Sequence, residues 1–189
     1  LTHHYLDDNP TATDGDIYTI RATVTDDDTR SDSVITTVAV DNVTPVLVID
    51  PVATINEDGT ATLTGTISDP GTLDVFTLVV DWGDPLSPHN IKTHTYQPSA
   101  TGTQAFTLTH HYLDDNPTAT DGDIYTISVT VTDDDTSSDS LITTVAVENV
   151  APVLVLDPMA DISEDGTATL TGTITDPGTL DTFTLVVDW

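Results

Sequence analysis

Carboxylates dominate the chemistry this chain can do. Of its 189 residues, 32 are Asp or Glu and three are Lys or Arg (Arg21, Arg30 and Lys92), giving a formal net charge of −29. The acids come in short runs beside turn-forming residues: Leu6-Asp7-Asp8, Asp69 to Asp74 in SDPGTLD, Asp133-Asp134-Asp135, and the pairs Asp41-Asn42 and Glu148-Asn149. Such runs suit a hard divalent cation. Calcium takes six to eight carboxylate and carbonyl oxygens at roughly 2.3–2.6 Å and tolerates irregular loops. Carboxylates crowded within a few ångströms either raise one another's pKa or recruit an ion. The candidate ligands are Asp7, Asp8, Asp41, Asn42, Asp69, Asp74, Asp133, Asp134, Asp135, Asp114, Asp115, Glu148, Asn149, Asp176 and Asp181, with calcium as a structural ion. The plainer alternative is a solvated acidic surface that keeps the chain soluble and blunts strand edges.

Other chemistry is excluded or weak. Almost no cations are available to replace phosphate counterions, so nucleic acid is not a partner. Anionic membrane surfaces fail for the same reason, and no apolar run is long enough to insert in a bilayer. No cysteine is present, which removes disulfides, thiolate zinc and a cysteine nucleophile. DDNPTATDGDIY alternates acids but lacks the glycine and terminal glutamate of an EF-hand loop. The adjacent pairs His3-His4 and His110-His111 point to opposite faces of a strand and cannot share one metal. His94 and His110 could fall on neighbouring strands, where a surface or partly packed role is the plain reading. No nucleophile elbow appears, and no single pair of acids stands out as an acid/base couple. The expectation is that the chain is not an enzyme.

The elements that must position the acids follow from internal similarity. LTHHYLDDNPTATDGDIYTI occurs at 1–20 and again, unchanged, at 108–127; the offset of 107 holds to the end of the chain, and 12 of the 82 aligned positions differ. A period this long exceeds a solenoid repeat and matches one β-sandwich domain. The linkers VAVDNVTPV and VAVENVAPV restart at a proline, which cannot extend a ladder. The organisation expected is therefore a C-terminal part of one repeat (1–43), a complete repeat (44–150) and an N-terminal part of the next (151–189). Neither partial unit can close a sandwich alone. Each would be completed by chain outside this stretch or by a neighbouring molecule.

Helix signals are absent, and the many threonines favour strands. Seven strands are expected in the complete unit: Pro45–Asp50, Thr60–Ile67, Val75–Trp82, Ile91–Tyr96, Gln104–Tyr112, Ile124–Thr132 and Ser140–Val147. Alternation turns Ala61, Leu63, Gly65 and Ile67 inward, and likewise Tyr125, Ile127, Val129 and Val131. The fold class expected is all-β, a run of tandem seven-stranded antiparallel Greek-key sandwiches. Trp82 and Tyr125 take the core positions of an Ig-like domain, with Asp121 as the expected partner of a tyrosine corner.

VDWGDP, KTHTY and IYTISVTVTDDDT together resemble the PKD-domain pattern. DNVTPV and ENVAPV resemble the linkers of tandem Ig-like, cadherin-like repeats in large bacterial surface proteins. The resemblance covers the whole chain and departs at Pro85, where glycine is usual, and in the insert LDDNPTATDGD. It implies an extracellular or cell-surface protein, bacterial or archaeal, that works through protein contacts rather than catalysis.

Strand alternation sorts the loops. Those after the second and sixth strands fall where the unit begins, so Asp69, Asp74, Asp133 to Asp135 and Asp139 should face the preceding linker, with Asp41 and Asn42, and Asp7, Asp8, Asp14 and Asp16. The next junction repeats this with Asp114, Asp115, Asp121, Asp123, Glu57, Asp58, Glu148, Asn149, Asp176 and Asp181. The function expected is a rod, stalk or adhesin-like filament stiffened by calcium between repeats. Its partners are neighbouring repeats and a host, matrix or glycan surface. The alternatives are a glycan- or protein-binding module, for which Tyr96 and Tyr112 are the candidate platform, and an accessory domain of a secreted hydrolase.

Overall fold

A computed structural model describes every residue except 9, 10, 117 and 119. Those four belong to the two copies of the LDDNPTATDGD insert, and that part of the insert lies outside the described residues. Strands alone make up the regular structure, and no helix occurs among the described residues. β1 (Gly15–Thr25) and β2 (Ser31–Asp41) form an antiparallel hairpin. The central body holds β3 (Val46–Ile49), β4 (Ile55–Asn56), β5 (Gly59–Ser68), β6 (Phe76–Asp81), β7 (Ile91–Tyr96), β8 (Thr103–Tyr112), β9 (Gly122–Thr132) and β10 (Ser138–Glu148). β11 (Val153–Leu156) and β12 (Gly172–Thr175) pair antiparallel after it.

Two sheets build the body, one ordered β3-β5-β8 and the other β4-β10-β9-β6-β7. Period-2 alternation gives each sheet one apolar face, and the two faces share a core. Leu47, Leu63, Ile67 and Phe106 come from the first sheet, and Leu78, Val80, Ile127, Val129, Val131, Val145 and Val147 from the second. Gly65 is part of the packing. A Cβ there would sit 2.5 Å from the Phe106 ring, its partner across the ladder, so the missing side chain makes room for the aromatic one.

The structure adds an eighth strand to the seven expected. β4 pairs parallel with the end of β10, Ile55 opposite Val147 and Asn56 opposite Glu148. Pro51 has no N–H to continue the ladder of β3, and the chain crosses to the edge of the other sheet. Two residues are too few to leave a periodic signal. The tyrosine corner also differs from expectation. Tyr125 Oη donates to the carbonyl of Asp114 at 3.2 Å, not to Asp121, whose carbonyl instead accepts from Asn149 N at 3.3 Å. His94 on β7 and His110 on β8 lie in different sheets, so they are not on paired strands.

Register repeats with the sequence. Gly15 faces Asp41 in β1–β2 as Gly122 faces Glu148 in β9–β10, and Val46 faces Ser68 in β3–β5 as Val153 faces Thr175 in β11–β12. Burial does not repeat. Ile127 and Val131 are fully buried, while their twins Ile20 and Val24 are 42% and 69% exposed; Trp82 is fully buried and its twin Trp189 is 77% exposed. Identical residues differ because only the central copy has a facing sheet.

Candidate metal centre

The acid-rich loops converge where the body begins. Thr132, the last residue of β9, lies opposite Thr77 near the start of β6, so the turn after β9 sits beside the β5–β6 loop. The segment before β1 closes the same gap: Thr72 N donates to Leu6 O at 3.0 Å. Acids hold the loops internally and tie them to each other. Gly71 N donates to Asp69 Oδ1 at 2.8 Å, Val75 N to Asp134 Oδ1 at 2.9 Å, and Ser137 N to Asp133 Oδ1 at 2.8 Å. The β9–β10 turn needs Thr136 at φ +77, a left-handed conformation that a β-branched residue adopts only when its surroundings hold it there. That turn presents Asp133, Asp134 and Asp135 together.

Two carboxylate triads result at this first seam, each with ligand oxygens within 4.8 Å of one another: Asp7, Asp8 and Asp135, and Asp74, Asp134 and Asp135. Oxygens on opposite sides of one calcium ion stand about 4.6–5.2 Å apart, so either triad could embrace one. The donors are buried and largely unanswered. Asp74 is 1% exposed, and neither of its carboxylate oxygens has a hydrogen-bond partner; Asp8 Oδ2, Asp69 Oδ2 and Asp135 Oδ2 are also buried without one. Burial, then the charges of Asp7 and Asp69, pushes the Asp74 carboxyl up to about 8. Burial, then Asp135, pushes Asp8 up to about 6. Asp69 and Asp135 are raised as well, chiefly by burial. Buried ionised acids with no counter-charge are costly, so these carboxyls favour their protonated form, and the triads could hold a cation.

The far end of the body has a second seam. Glu57, Asp114 and Asp181 form a third triad within the same 4.8 Å. Thr179 N donates to Leu113 O at 3.2 Å, Leu180 N to Asp114 Oδ2 at 3.1 Å, and Val150 N to Glu57 Oε1 at 2.6 Å. Gly178 admits this approach, since a Cβ there would stand 2.3 Å from Glu57 Oε2. Glu57 Oε2, Asp115 Oδ2 and Asp176 Oδ2 are buried without a hydrogen-bond partner. Burial, followed by Asp114, pushes Asp115 up to about 6, and burial raises Glu57 and Asp181 too.

Of the candidate ligands, Asp7, Asp8, Asp74, Asp134 and Asp135 meet at the first seam, and Asp114 and Asp181 at the second. Asp69, Asp115 and Asp176 lie alongside these triads. Asp133 is engaged by Asn42, whose Nδ2 donates to Asp133 Oδ2 at 2.9 Å. Asp41, Glu148 and Asn149 are exposed at strand ends, outside the triads. Glu57 belongs to a triad yet stood outside the chosen ligand set. The two-residue β4 that carries the chain to it leaves no mark in the sequence.

A second polar cluster is internal to the body. His110 is 3% exposed, with Nε2 2.9 Å from Asp84 Oδ2, and its ring stacks on Trp82. Tyr112 Oη donates to Trp82 O at 2.7 Å. His111 points outward to Asp58, as alternation requires.

No protein-family model matches the chain, and no curated protein matches it. Among solved structures that match is the Pseudomonas fluorescens alkylpurine DNA glycosylase AlkC bound to DNA containing an abasic site analog. The identity is 13%, over 54% of this chain and 30% of that one, with a TM-score of 0.33. This chain thus spans less than a third of that protein's length, and so faint a likeness carries no argument.

Proposed function

We propose that the chain is a stretch of an extracellular rod, stalk or adhesin-like filament, built of tandem Ig-like, PKD-like sandwiches of 107 residues and stiffened by calcium at the seams between them. Residues 1–43, 44–150 and 151–189 are then parts of three successive repeats, and neighbouring repeats are the first partners. The observation that carries the reading is Asp74: a carboxylate 1% exposed, with both oxygens unanswered, facing acids from the chain on the other side of the seam. A divalent ion there would neutralise acids from both sides and lock their relative orientation. The repeated register of β1–β2 and β9–β10 supports the tandem organisation. A glycan-binding module is less well supported, since Tyr112 is fully buried and Tyr96 packs partly buried against the core.

Thermal unfolding of the 189-residue chain tests the reading. Calcium that binds the folded state alone raises the midpoint by mass action. A clear rise with calcium over chelator, unmatched by magnesium or sodium chloride at equal ionic strength, is expected. An equal response to all three salts would reduce the effect to charge screening and sink the proposal.

A further inference from the structure

We infer that a second copy of this chain covers the exposed faces at its ends: residues 151–189 of one copy and 1–43 of the next close a sandwich between them, a pairing that rests on the tandem reading above. The 107-residue offset tells which core residues each end supplies. Of the 16 residues in the core of the body, eight have identical counterparts in 151–189, from Leu154 to Trp189, and seven have counterparts in 1–43, from Tyr5 to Val40. One of these differs, Ala22 standing for Val129, and Phe106 alone has none. The two sets do not overlap, so the ends are complementary halves of one core. Residues 83–107 have no counterpart in either end. They carry β7 and the first part of β8, and both strands lie at the edges of their sheets, so every interior ladder can be rebuilt without them.

The ladders absent at the ends are those whose two strands lie in opposite ends. In the body β6 pairs with β9, and β4 with β10. The counterparts of β6 and β4 are 183–188 and 162–163, and neither forms a strand, although 183–188 repeats the sequence of β6 unchanged. The counterparts of β9 and β10 are β1 and β2, whose hairpin pairs with no other strand. The order β4-β10-β9-β6 therefore places a second copy on both edges of the hairpin. Its apolar face would be covered as well: Ile20, Val24, Leu185 and Val187 are exposed, while the matching Ile127, Val131, Leu78 and Val80 are fully buried. Charge agrees with this register. Asp81 faces Ser128 in the body, and at the joint Asp188 would face Arg21. Opposite charges across a ladder favour it, so Arg21 adds an ion pair that the body lacks. The contact is head-to-tail, and such contacts build open filaments. Repulsion between chains of net charge −29 opposes joining, so it belongs to concentrated protein in screening salt, and dilute chains stay single.

The chain has no cysteine, so introduced thiols report the register directly. Val79 faces Thr130 in the body, which makes Val186 and Thr23 partners across the joint. Oxidising a concentrated mixture of Thr23→Cys and Val186→Cys chains in physiological salt should give a disulfide-linked heterodimer, and each variant alone should give far less homodimer. Sedimentation of the unaltered chain should show mass growing with concentration. Arg21→Glu should weaken association about fivefold, in the range of exposed ion pairs, and adding Asp188→Arg should restore it. Circular dichroism checks that each variant keeps its strands. Faster homodimer formation by Thr23→Cys alone would mean that two β1–β2 faces meet each other, and would overturn the head-to-tail joint. A chain that stays monomeric at every concentration, with its calcium-dependent rise in melting temperature intact, would overturn the joint and spare the reading it rests on. Loss of both would overturn both.

Discussion

Asn42 ties the linker to the turn beyond it: its Nδ2 lies 2.9 Å from Asp133 Oδ2 and 3.2 Å from Ser137 Oγ, although these residues stand 91 and 95 positions further along the chain. The amide answers an acid that would otherwise add to the charge of the seam, and its side chain fixes the linker against the β9–β10 turn. Nearby, Asp139 Oδ2 accepts from Leu47 N at 2.9 Å, anchoring the first strand of the body to the same hairpin. The flank of the seam is thus held by a few neutral or charge-assisted hydrogen bonds, while both carboxylate oxygens of Asp74 and one each of Asp8, Asp69 and Asp135 are buried there without a hydrogen-bond partner. That division separates residues that align the seam from residues that could hold a cation.

Asp74→Asn should separate stability from ion binding. In chelator above about pH 8, where the Asp74 carboxyl is ionised, the amide removes a buried charge and can donate to the acids around it, so the midpoint should rise by a few degrees, the equivalent of about 1 kcal/mol in a chain of this size. In calcium, the variant should lose most of the ion-dependent rise seen in the parent chain. Paired melting curves measure both effects. A variant that keeps the full calcium response would remove Asp74 from the ligand set.

Proton and calcium should compete. Asp74 is raised to about 8, and Asp8 and Asp115 to about 6, from a reference of 3.8. A raised carboxylate binds its proton more tightly folded than unfolded, so its contribution is present at low pH and lost as pH climbs through the folded value. The slope is ~1.4 kcal/mol per pH unit for each proton of difference. In chelator, stability should therefore fall between about pH 4 and 8. Saturating calcium should flatten or reverse that slope, and calcium affinity should climb through the same window. Melting temperatures at several pH values, with and without calcium, check the sign.

Much of this arrangement was legible before any coordinates. Strict alternation in TATLTGTI and IYTISVTVT gave the inward residues of β5 and β9, and the acid runs before β1, before β6 and after β9 do meet. Strand direction alone places loops at one end or the other, which is why Asp7, Asp74 and Asp135 could be grouped. Glu57 and Asn42 were harder. Glu57 is expected at the second seam from loop order, but it is absent from the candidate ligands, because the two residues of β4 that bring it to Asp114 and Asp181 are set by tertiary pairing with β10 and leave no local pattern. Asn42 is among the expected metal ligands, and the structure shows in addition that its Nδ2 donates to Asp133 Oδ2. A short polar side chain can answer an acid or an ion, and only geometry decides. Tyr125 likewise needed a carbonyl partner, but the loop before it is long enough to offer several.

Gly71→Ala should weaken the first seam without straining the backbone. A Cβ at this position would stand 2.5 Å and 2.8 Å from the two carboxylate oxygens of Asp74. The residue has no left-handed conformation that alanine would resist, so the clash must displace the acid. Calcium affinity at the first seam should fall at least tenfold, with little change in melting temperature in chelator. Gly178→Ala should do the same at the second seam, where Glu57 and Asp181 are in the way. Calcium titration by calorimetry would show each loss. Unchanged affinity in either variant would mean that the carboxylates bind in a different place from where they sit here.

The repeat supplies its own control for packing. Ile127 and Ile20 occupy the same position of identical sequence segments, yet Ile127 is fully buried and Ile20 is 42% exposed. Truncating a buried isoleucine loses transfer free energy and leaves a cavity, typically 2–5 kcal/mol. Ile127→Ala should accordingly cost about 3 kcal/mol in urea unfolding, and Ile20→Ala under about 1 kcal/mol. If the hairpin of β1 and β2 acquires a facing sheet, whether from further chain or from a second molecule, Ile20 becomes a core residue and its substitution should then cost as much as that of Ile127. Measuring the pair in the 189-residue chain and again in a chain extended to complete the first repeat would show whether burial follows the repeat. Equal costs in the short chain would mean that the β1–β2 face is already covered by self-association.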